Sequence, residues 1–315
     1  GRLMRRLTNL IAGKWAAPQD GEYFDDHNPA TGEKIAEIPF STAADIEAAV
    51  AGAQAAQPEW GALPVEERAV WLDRIASALE ARSDEIAELE SRDTGKPVAL
   101  ARAVDAARSV LNFRFFAGLV GEIPDEQYKM EDALNVVVRK PVGVAGLITP
   151  WNLPLYLLSW KVAPAIMMGN CVVCKPSRLT PLTANLLAEV ITETGLPAGV
   201  VNLVHGSGSK CGQALVEHPA VGAISFTGGT STGRRVAAGA APLFKKLSLE
   251  LGGKNATIIC GDADLEKTVP GAARAAFMNQ GQVCLCGSRL LVERSIWDEF
   301  VPRFVAHVKA MSVGD

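Results

Sequence analysis

No stretch of this chain stays apolar for anything near the ~20 residues that span a bilayer. The opening GRLMRRLTNLIAGKW has too short an apolar core, NLIAG, for a secretory signal. Neither charge is in excess. Lys and Arg number 31 against 35 Asp and Glu, a formal −4, so no basic surface invites nucleic acid or an anionic membrane. Histidine is scarce: the four lie far apart and no HxxxH occurs. The one CxxC, Cys171 and Cys174, reads as a strand, where an i, i+3 pair points to opposite faces, so no metal site is expected. Six cysteines in 315 residues do not make a disulfide framework, and a cytoplasmic protein is expected. Internal repeats, low-complexity linkers and a clean GxGxxG are all missing.

The length suffices for one large domain or two ordinary ones. Helical patterns dominate residues 42–118. VEERAVWLDRIASALEARSDEIAELE spaces Val65, Leu72, Ile75, Leu79, Ile86 and Leu89 at three-, four- and seven-residue steps. A second long helix is expected over 98–117, and the loop GEIPDEQYKMED ends this block. From 134 onward short β-branched runs appear, several of them separated by helical stretches: NVVVR, VGVAGLI, CVVCK, VVNLV, VGAISF, LSLEL, ATIIC and RLLVE. That alternation predicts an α/β fold with a doubly wound, mostly parallel sheet. SIWDEFVPRFVAHVKAMSVGD reads as an amphipathic helix. Only two clear strands follow residue 250, too few for a second sheet, so a second unit is expected to be very small or incomplete.

Several turns can carry chemistry. SFTGGTSTGRR leads from a strand into a helix, and its Gly228, Gly229 and Gly233 would let backbone N–H groups approach a phosphate; a plain turn is the alternative. HGSGSKCG is a looser version. In LITPWNLPLYLL, Asn152 sits between Pro150 and Pro154, and its amide either holds the turn or points a donor into a pocket. In KKLSLELGGKNATII, Glu250 is either buried, which would raise its pKa toward that of a general base, or faces water at a strand end. FMNQGQVCLCGSR holds Cys284 and Cys286, each a candidate nucleophile or a small apolar filler.

Taken in order, PWN, CKPS, FTGG with four residues to the next glycine, ELGGK, and GQxC thirty-four residues after the glutamate resemble the aldehyde dehydrogenase superfamily. The likeness implies a Rossmann-like cofactor domain over 1–131 and 143–250, an oligomerisation hairpin at 132–142, and the start of an α/β catalytic domain at 251–315. It implies that Cys284 is the nucleophile and Cys286 a pocket neighbour. Asn152 and the Cys284 backbone N–H would hold the oxyanion, and Glu250 would activate water. The implied cofactor is NAD. Lys175 would reach the adenosine ribose, with Trp151 and Gly228 lining the cleft. The cleft would extend through Ile148, Ser177 and Gly208, then Phe226, Thr227, Gly229 and Gly233, and Leu251. Two positions depart from the pattern. Gly229 stands where relatives carry a pyrophosphate-contacting serine. Arg178 replaces the ribose-binding glutamate, which makes NADP possible. Relatives also continue past residue 315, and a homodimer or homotetramer is implied for the full-length protein.

Within the superfamily, RSVLNFRFFA, PVGVAGLITPWNLPLYLLSWKVAPA and CLCGSR look most like the 2-aminomuconic and 2-hydroxymuconic semialdehyde dehydrogenases. The implied substrate is an aldehyde bearing a carboxylate, which Arg108 would bind; its alternative partner is Asp105, three residues earlier. Arg102, Arg108 and Arg114 are six residues apart, so on a helix they face different directions. A cofactor-free thiol hydrolase using Cys284 and Glu250, or a non-catalytic fragment, are the competing readings.

Overall fold

The structure, a computed structural model, describes residues 5–119 and 126–314; the start of the expected 121–132 loop lies outside them. The chain divides into two compact units, Gly1–Leu249 and Glu250–Asp315. Among the described residues no helix is long and apolar enough to cross a membrane.

The first unit opens with β1 (Arg5–Arg6), β2 (Asn9–Ile11), β3 (Lys14–Ala16), β4 (Tyr23–His27) and β5 (Lys34–Pro39). These strands are too short and polar to show as β-branched runs. One of them also has a partner remote in sequence: Leu10 of β2 pairs with Leu203. β1, β5 and β4 form a small sheet, while β2 and β3 join the main one. Helices α1 (Ala43–Ala62), α2 (Val65–Ala81) and α3 (Ser83–Thr94) follow. Of the periodic residues, Leu72, Ile75, Leu79, Ile86 and Leu89 are buried as their spacing predicts, whereas Val65, the first residue of α2, is only half-buried.

The expected helix at 98–117 is not regular α throughout. It comprises α4 (Val98–Ala101), a π-helical segment (Arg102–Ala106) and α5 (Ala107–Ala117). An antiparallel hairpin, β6 (Glu126–Lys129) and β7 (Leu134–Val137), comes next. Part of the expected loop is therefore strand, and the stretch 132–142 supplies only the hairpin's second arm.

The main sheet is built by β8 (Val144–Ile148), α6 (Pro154–Met167), β9 (Cys171–Lys175), α7 (Leu182–Glu193), β10 (Val201–Leu203), α8 (Gln213–Glu217), β11 (Val221–Gly228), α9 (Thr230–Ala240) and β12 (Lys246–Leu251). Its order is β12-β11-β8-β9-β10-β2-β3. β11, β8, β9 and β10 pair in parallel and β2 runs antiparallel to β10. Every residue of β8, β9 and β10 is buried, the continuous apolar texture of strands covered on both faces. Because the chain moves outward from β8 to β10 and then returns to β11, the order switches between β8 and β11. In doubly wound sheets ligands bind at the carboxyl ends of the strands at such a switch.

The second unit contains β13 (Ala256–Ile259), α10 (Leu265–Phe277), β14 (Arg289–Val292) and α11 (Trp297–Lys309). β13 and β14 pair in parallel, Ala256 opposite Arg289. Ile259, Val269, Ala272 and Phe300 form its core, with the Phe300 and Phe304 rings stacked at 5.5 Å.

Candidate active site

At the switch point the carboxyl ends of β8 and β11 flank a cavity of about 150 Å³. Ile148, Phe226, Val216 and Val236 supply its apolar walls, and Gly208, Ser209, Gly212, Gln213, Thr232 and Arg235 complete the lining. The position and apolar lining suit one flat heteroaromatic ring. A Cβ on Gly208 would meet nothing within 4 Å. Beyond β8, the buried Thr149 hydroxyl has no partner among the described residues, a polar atom left for a ligand.

Lys175, at the end of β9, is buried. Its ammonium donates to the carbonyls of Pro176 (2.7 Å) and Gly206 (3.3 Å), which account for two of its three donors. Burial pushes its pKa down, and Arg178 adds to the fall. Arg178 itself is exposed, and the Ser177 hydroxyl accepts from the Leu179 N–H at 3.2 Å. Gly229 precedes α9, and its carbonyl accepts from Gly233 N–H at 2.9 Å. A Cβ on Gly229 would touch nothing within 4 Å, so no steric demand explains a glycine where relatives carry serine. Gly228 differs, because a Cβ there would strike the Phe226 ring at 2.6 Å. Thr227 is buried. Of the expected cofactor residues, Ile148, Gly208 and Phe226 line this cavity, and Lys175 lies beside it, where a Cβ on the lining Gly212 would meet its side chain at 3.5 Å; Thr227, Gly228, Gly229 and Gly233 follow at the end of β11 and the start of α9, outside the lining.

Trp151 and Asn152 lie between β8 and α6. Pro154 opens α6 at a position that lacks an intrahelical acceptor, which is why the strand ends and a turn forms here. Trp151 is exposed and Asn152 half-buried. The Asn152 carbonyl accepts from Lys96 Nζ at 3.2 Å, a contact across 56 residues that no local pattern announces.

In the second unit, β12 delivers Glu250 and Leu251 to the Gly252–Gly253 corner. Glu250 is exposed, so its burial among apolar neighbours is not borne out: the strand face it occupies is open. Leu251 is half-buried. The corner leads to Asn255, whose side-chain N–H donates to the Cys284 carbonyl at 2.9 Å. The ends of the Glu250 and Cys284 segments are thereby joined.

The loop carrying Cys284 turns sharply. Asn279, Gln280 and Gly281 have φ of +54°, +57° and +70°, two of them non-glycine residues in the left-handed region. Gln282 N–H donates to Asn279 O (2.9 Å), and Gly287 N–H ties the loop's far end to Ala275 of α10 (2.9 Å). Gly287 is there because a Cβ would collide with the Thr257 hydroxyl. Cys284 is exposed. Cys286 is half-buried, its thiol donating to the Gly281 carbonyl at 3.5 Å. The exposed, unengaged thiol is the better nucleophile candidate.

Arg108 lies on α5. Its alternative partner Asp105 is turned inward by the π-helical segment and pairs with buried Lys96 at 2.8 Å, so the Arg108–Asp105 pair does not form. Arg108 instead lies over the Tyr156 ring, 5.9 Å from its centre. Arg102 pairs with Asp84 and Arg114 with Glu80, so the three arginines diverge as their spacing predicts. Among the described residues no cluster of His, Cys, Asp or Glu could hold a metal ion.

Comparison with known proteins agrees with this geometry. The profile of the aldehyde dehydrogenase family matches residues 15–315. The 2-aminomuconic semialdehyde dehydrogenase of Mus musculus is 47% identical over 315 residues, covering 99% of this chain and 64% of that protein. The 2-hydroxymuconic semialdehyde dehydrogenase of Pseudomonas sp. (strain CF600) is 46% identical, with 99% and 65% covered. The solved structure of PnpE, from Pseudomonas sp. WBC-3, in complex with nicotinamide adenine dinucleotide superposes with a TM-score of 0.96 at 44% identity, over 98% of this chain and 64% of that one. The chain therefore spans slightly less than two thirds of these relatives, and it belongs to the aldehyde dehydrogenase family.

Proposed function

We propose that the protein oxidises an aldehyde to a carboxylic acid, with NAD or NADP as hydride acceptor. The observation that carries this reading is the exposed Cys284 thiol on a left-handed turn, pinned by Asn255 and by Ala275 of α10. A thiolate there attacks the carbonyl carbon, forming a C–S bond while the carbonyl π electrons move to oxygen. The Asn152 amide and the Cys284 backbone N–H donate to that oxyanion. Lys175, Ile148, Phe226 and the Gly228–Gly229 turn hold the dinucleotide, which when bound supplies the hydride acceptor. With the carbon oxidised to a thioester, Glu250 takes a proton from water as the water oxygen attacks. The C–S bond then breaks, releasing the acid and restoring the thiolate. Exposure of Glu250 supports this role, since a general base in this step must reach water.

The substrate in this reading carries a carboxylate away from its aldehyde, as in a muconic semialdehyde. Two facts support it: the names of the relatives, and an exposed Arg108 whose guanidinium faces no carboxylate among the described residues. A planar fork of donors suits such an anion. The hairpin β6–β7 exposes Tyr128, Leu134, Val136 and Val137, which supports its use as a contact between subunits.

The test is to follow cofactor reduction with a carboxylated semialdehyde and a neutral aldehyde of similar length, in the parent and in Arg108→Ala. Aldehyde-dependent reduction, with kcat/KM for the charged substrate falling at least about tenfold more than for the neutral one, is expected. Equal losses would remove Arg108 from substrate binding. Ester cleavage without cofactor, and no aldehyde oxidation, would favour a thiol hydrolase.

A further inference from the structure

Beneath the Trp151–Leu155 turn lies a fully buried group of ionisable side chains that the proposed chemistry does not use. Its origin is local. α3 ends at Thr94, and Gly95 leaves the helix in the left-handed conformation (φ +75°), donating to Ser91 O at 2.8 Å. Lys96 follows, and its backbone is clamped on both sides. Its N–H donates to Thr94 Oγ1 at 3.3 Å, and its carbonyl accepts from Ser91 Oγ at 2.6 Å. The side chain is thereby sent inward, where its exposure is 0%.

Two groups receive its ammonium: Asp105 Oδ2 at 2.8 Å, brought inward on the π-helical segment, and the carbonyl of Asn152 at 3.2 Å. One and a half turns before Gly95 on α3, Glu90 accepts from the N–H of Leu155, at the start of α6, at 3.4 Å. Glu90 is completely buried, and that burial, reinforced by the facing Asp105 carboxylate, pushes its pKa up to about 8. The turn thus has a cation on the carbonyl at one end and a carboxyl oxygen on the N–H at the other. Pro150 and Pro154 have no N–H with which to secure it.

We propose that Lys96, steadied by Asp105, and Glu90 are positioning residues that grip the Trp151–Leu155 turn and so fix the direction in which Asn152 presents its side-chain amide to substrate. The proposal rests on Asn152 as the oxyanion donor of the reading above. Holding the Asn152 carbonyl sets the rotation of its peptide unit, and with it the Cα–Cβ vector. A displacement of the amide by about 1 Å is enough to cost on the order of 10²-fold in rate. A core-filling ion pair would have no reason to end on this one carbonyl.

The experiment has a structural arm and a kinetic arm. Lys96→Met strands the buried Asp105 carboxylate, so Lys96→Met/Asp105→Asn is made beside it, with Lys96→Arg as the conservative variant. In the full chain, hydrogen exchange is followed over residues 151–157 and, as an internal reference, over β9. In the double variant, exchange at 151–157 is expected to rise at least about tenfold while β9 is unchanged, and Lys96→Arg should restore much of the protection. Unchanged exchange in the turn, or a rise spread equally over β9, would overturn the grip.

In the kinetic arm Lys96→Met/Asp105→Asn is combined with Asn152→Ala. If Lys96 acts through Asn152, kcat falls by about 10²-fold in the parent background but by less than about threefold once Asn152 is gone, with the cofactor KM unchanged in both. Equal losses in the two backgrounds would make Lys96 merely structural. Absence of aldehyde turnover in the parent would sink the oxidoreductase reading, and the exchange arm, with Glu90→Gln and Glu90→Ala added beside the Lys96 variants, would still decide whether Lys96 and Glu90 hold the turn: protection lost at 151–157 in Glu90→Ala supports the grip, and protection unchanged there removes Glu90 from it.

Discussion

In the first unit Ile148 and Lys175 stand at the ends of β8 and β9, strands buried along their whole length. In the second, Glu250 and Cys284 belong to segments with little cover: Ile258 is 72% exposed and Leu285 73%. The first unit controls its polar groups by burial. Lys175 is enclosed between carbonyls, and Lys96, Asp105 and Glu90 form a network without solvent. The second unit controls its groups through backbone shape: three consecutive left-handed residues, one Asn255 hydrogen bond and a glycine with no room for a Cβ. A two-stranded sheet is marginal by itself, so precision there has to be local. The lesson is that a ligand cleft tolerates few changes anywhere beneath it, whereas a nucleophile loop depends on a handful of nearby contacts.

The contrast breaks most sharply at the two thiols. Cys284→Ser should lower aldehyde-dependent turnover by on the order of 10⁴-fold or more, as loss of a covalent nucleophile does elsewhere. Cys286→Ser should keep most of it, since that thiol is spent on the Gly281 carbonyl. Steady-state rates of both variants decide this, and the reverse order would move the nucleophile to Cys286.

Burial in the first unit can be tested by acid. His205 is buried with neither ring nitrogen partnered among the described residues, and burial together with nearby Lys175 pushes its pKa down to about 3. The unfolded chain takes up a proton near 6.5 while the folded chain does not until about 3. Stability from this group is therefore complete above 6.5 and is lost as pH falls toward 3. Glu90 and Asp26, raised by burial to about 8 and about 7, act oppositely and cost stability as pH rises from about 4. Comparison with His205→Phe isolates the histidine. Between pH 6.5 and 5 the parent should lose about 2 kcal/mol relative to the variant, read from urea unfolding at each pH. Parallel pH curves would show that His205 is not held neutral.

How much of this was legible in the sequence depended on distance along the chain. The strands from β7 onward appear as β-branched runs, and the helices through the spacing of residues such as Leu72 and Ile86, because each signal lies within a few residues. β2 and β3 are invisible, since three-residue strands are too short for a pattern and β2 joins the main sheet only through a partner nearly two hundred residues away. The Lys96–Asp105 pair needs a left-handed glycine just before Lys96 and a π-helical segment that carries Asp105 inward, whereas helical spacing points Asp105 toward Arg108 instead. Glu250 was readable as a carboxylate beside a glycine corner. Whether it is buried or faces water stayed open there, because exposure depends on what covers the strand rather than on the strand itself.

A smaller effect is expected at Arg178, which is exposed three residues after Lys175. Arg178→Glu restores an acceptor for a ribose hydroxyl and removes a cation able to meet a 2′-phosphate. It should move the ratio of kcat/KM for NAD over NADP upward by about tenfold, equivalent to ~1.4 kcal/mol. A constant ratio would mean that the guanidinium only meets water.

Acyl transfer to Cys284 is the claim on which the rest depends, and mass spectrometry reads it directly. Glu250→Gln, mixed with an aldehyde and oxidised cofactor, should reduce about one equivalent of cofactor per active site and then stall. Peptide mapping should find the acyl mass on the peptide containing Cys284, with Cys286 unmodified. An adduct on Cys286, or steady turnover at the parent rate with no adduct, would contradict the account.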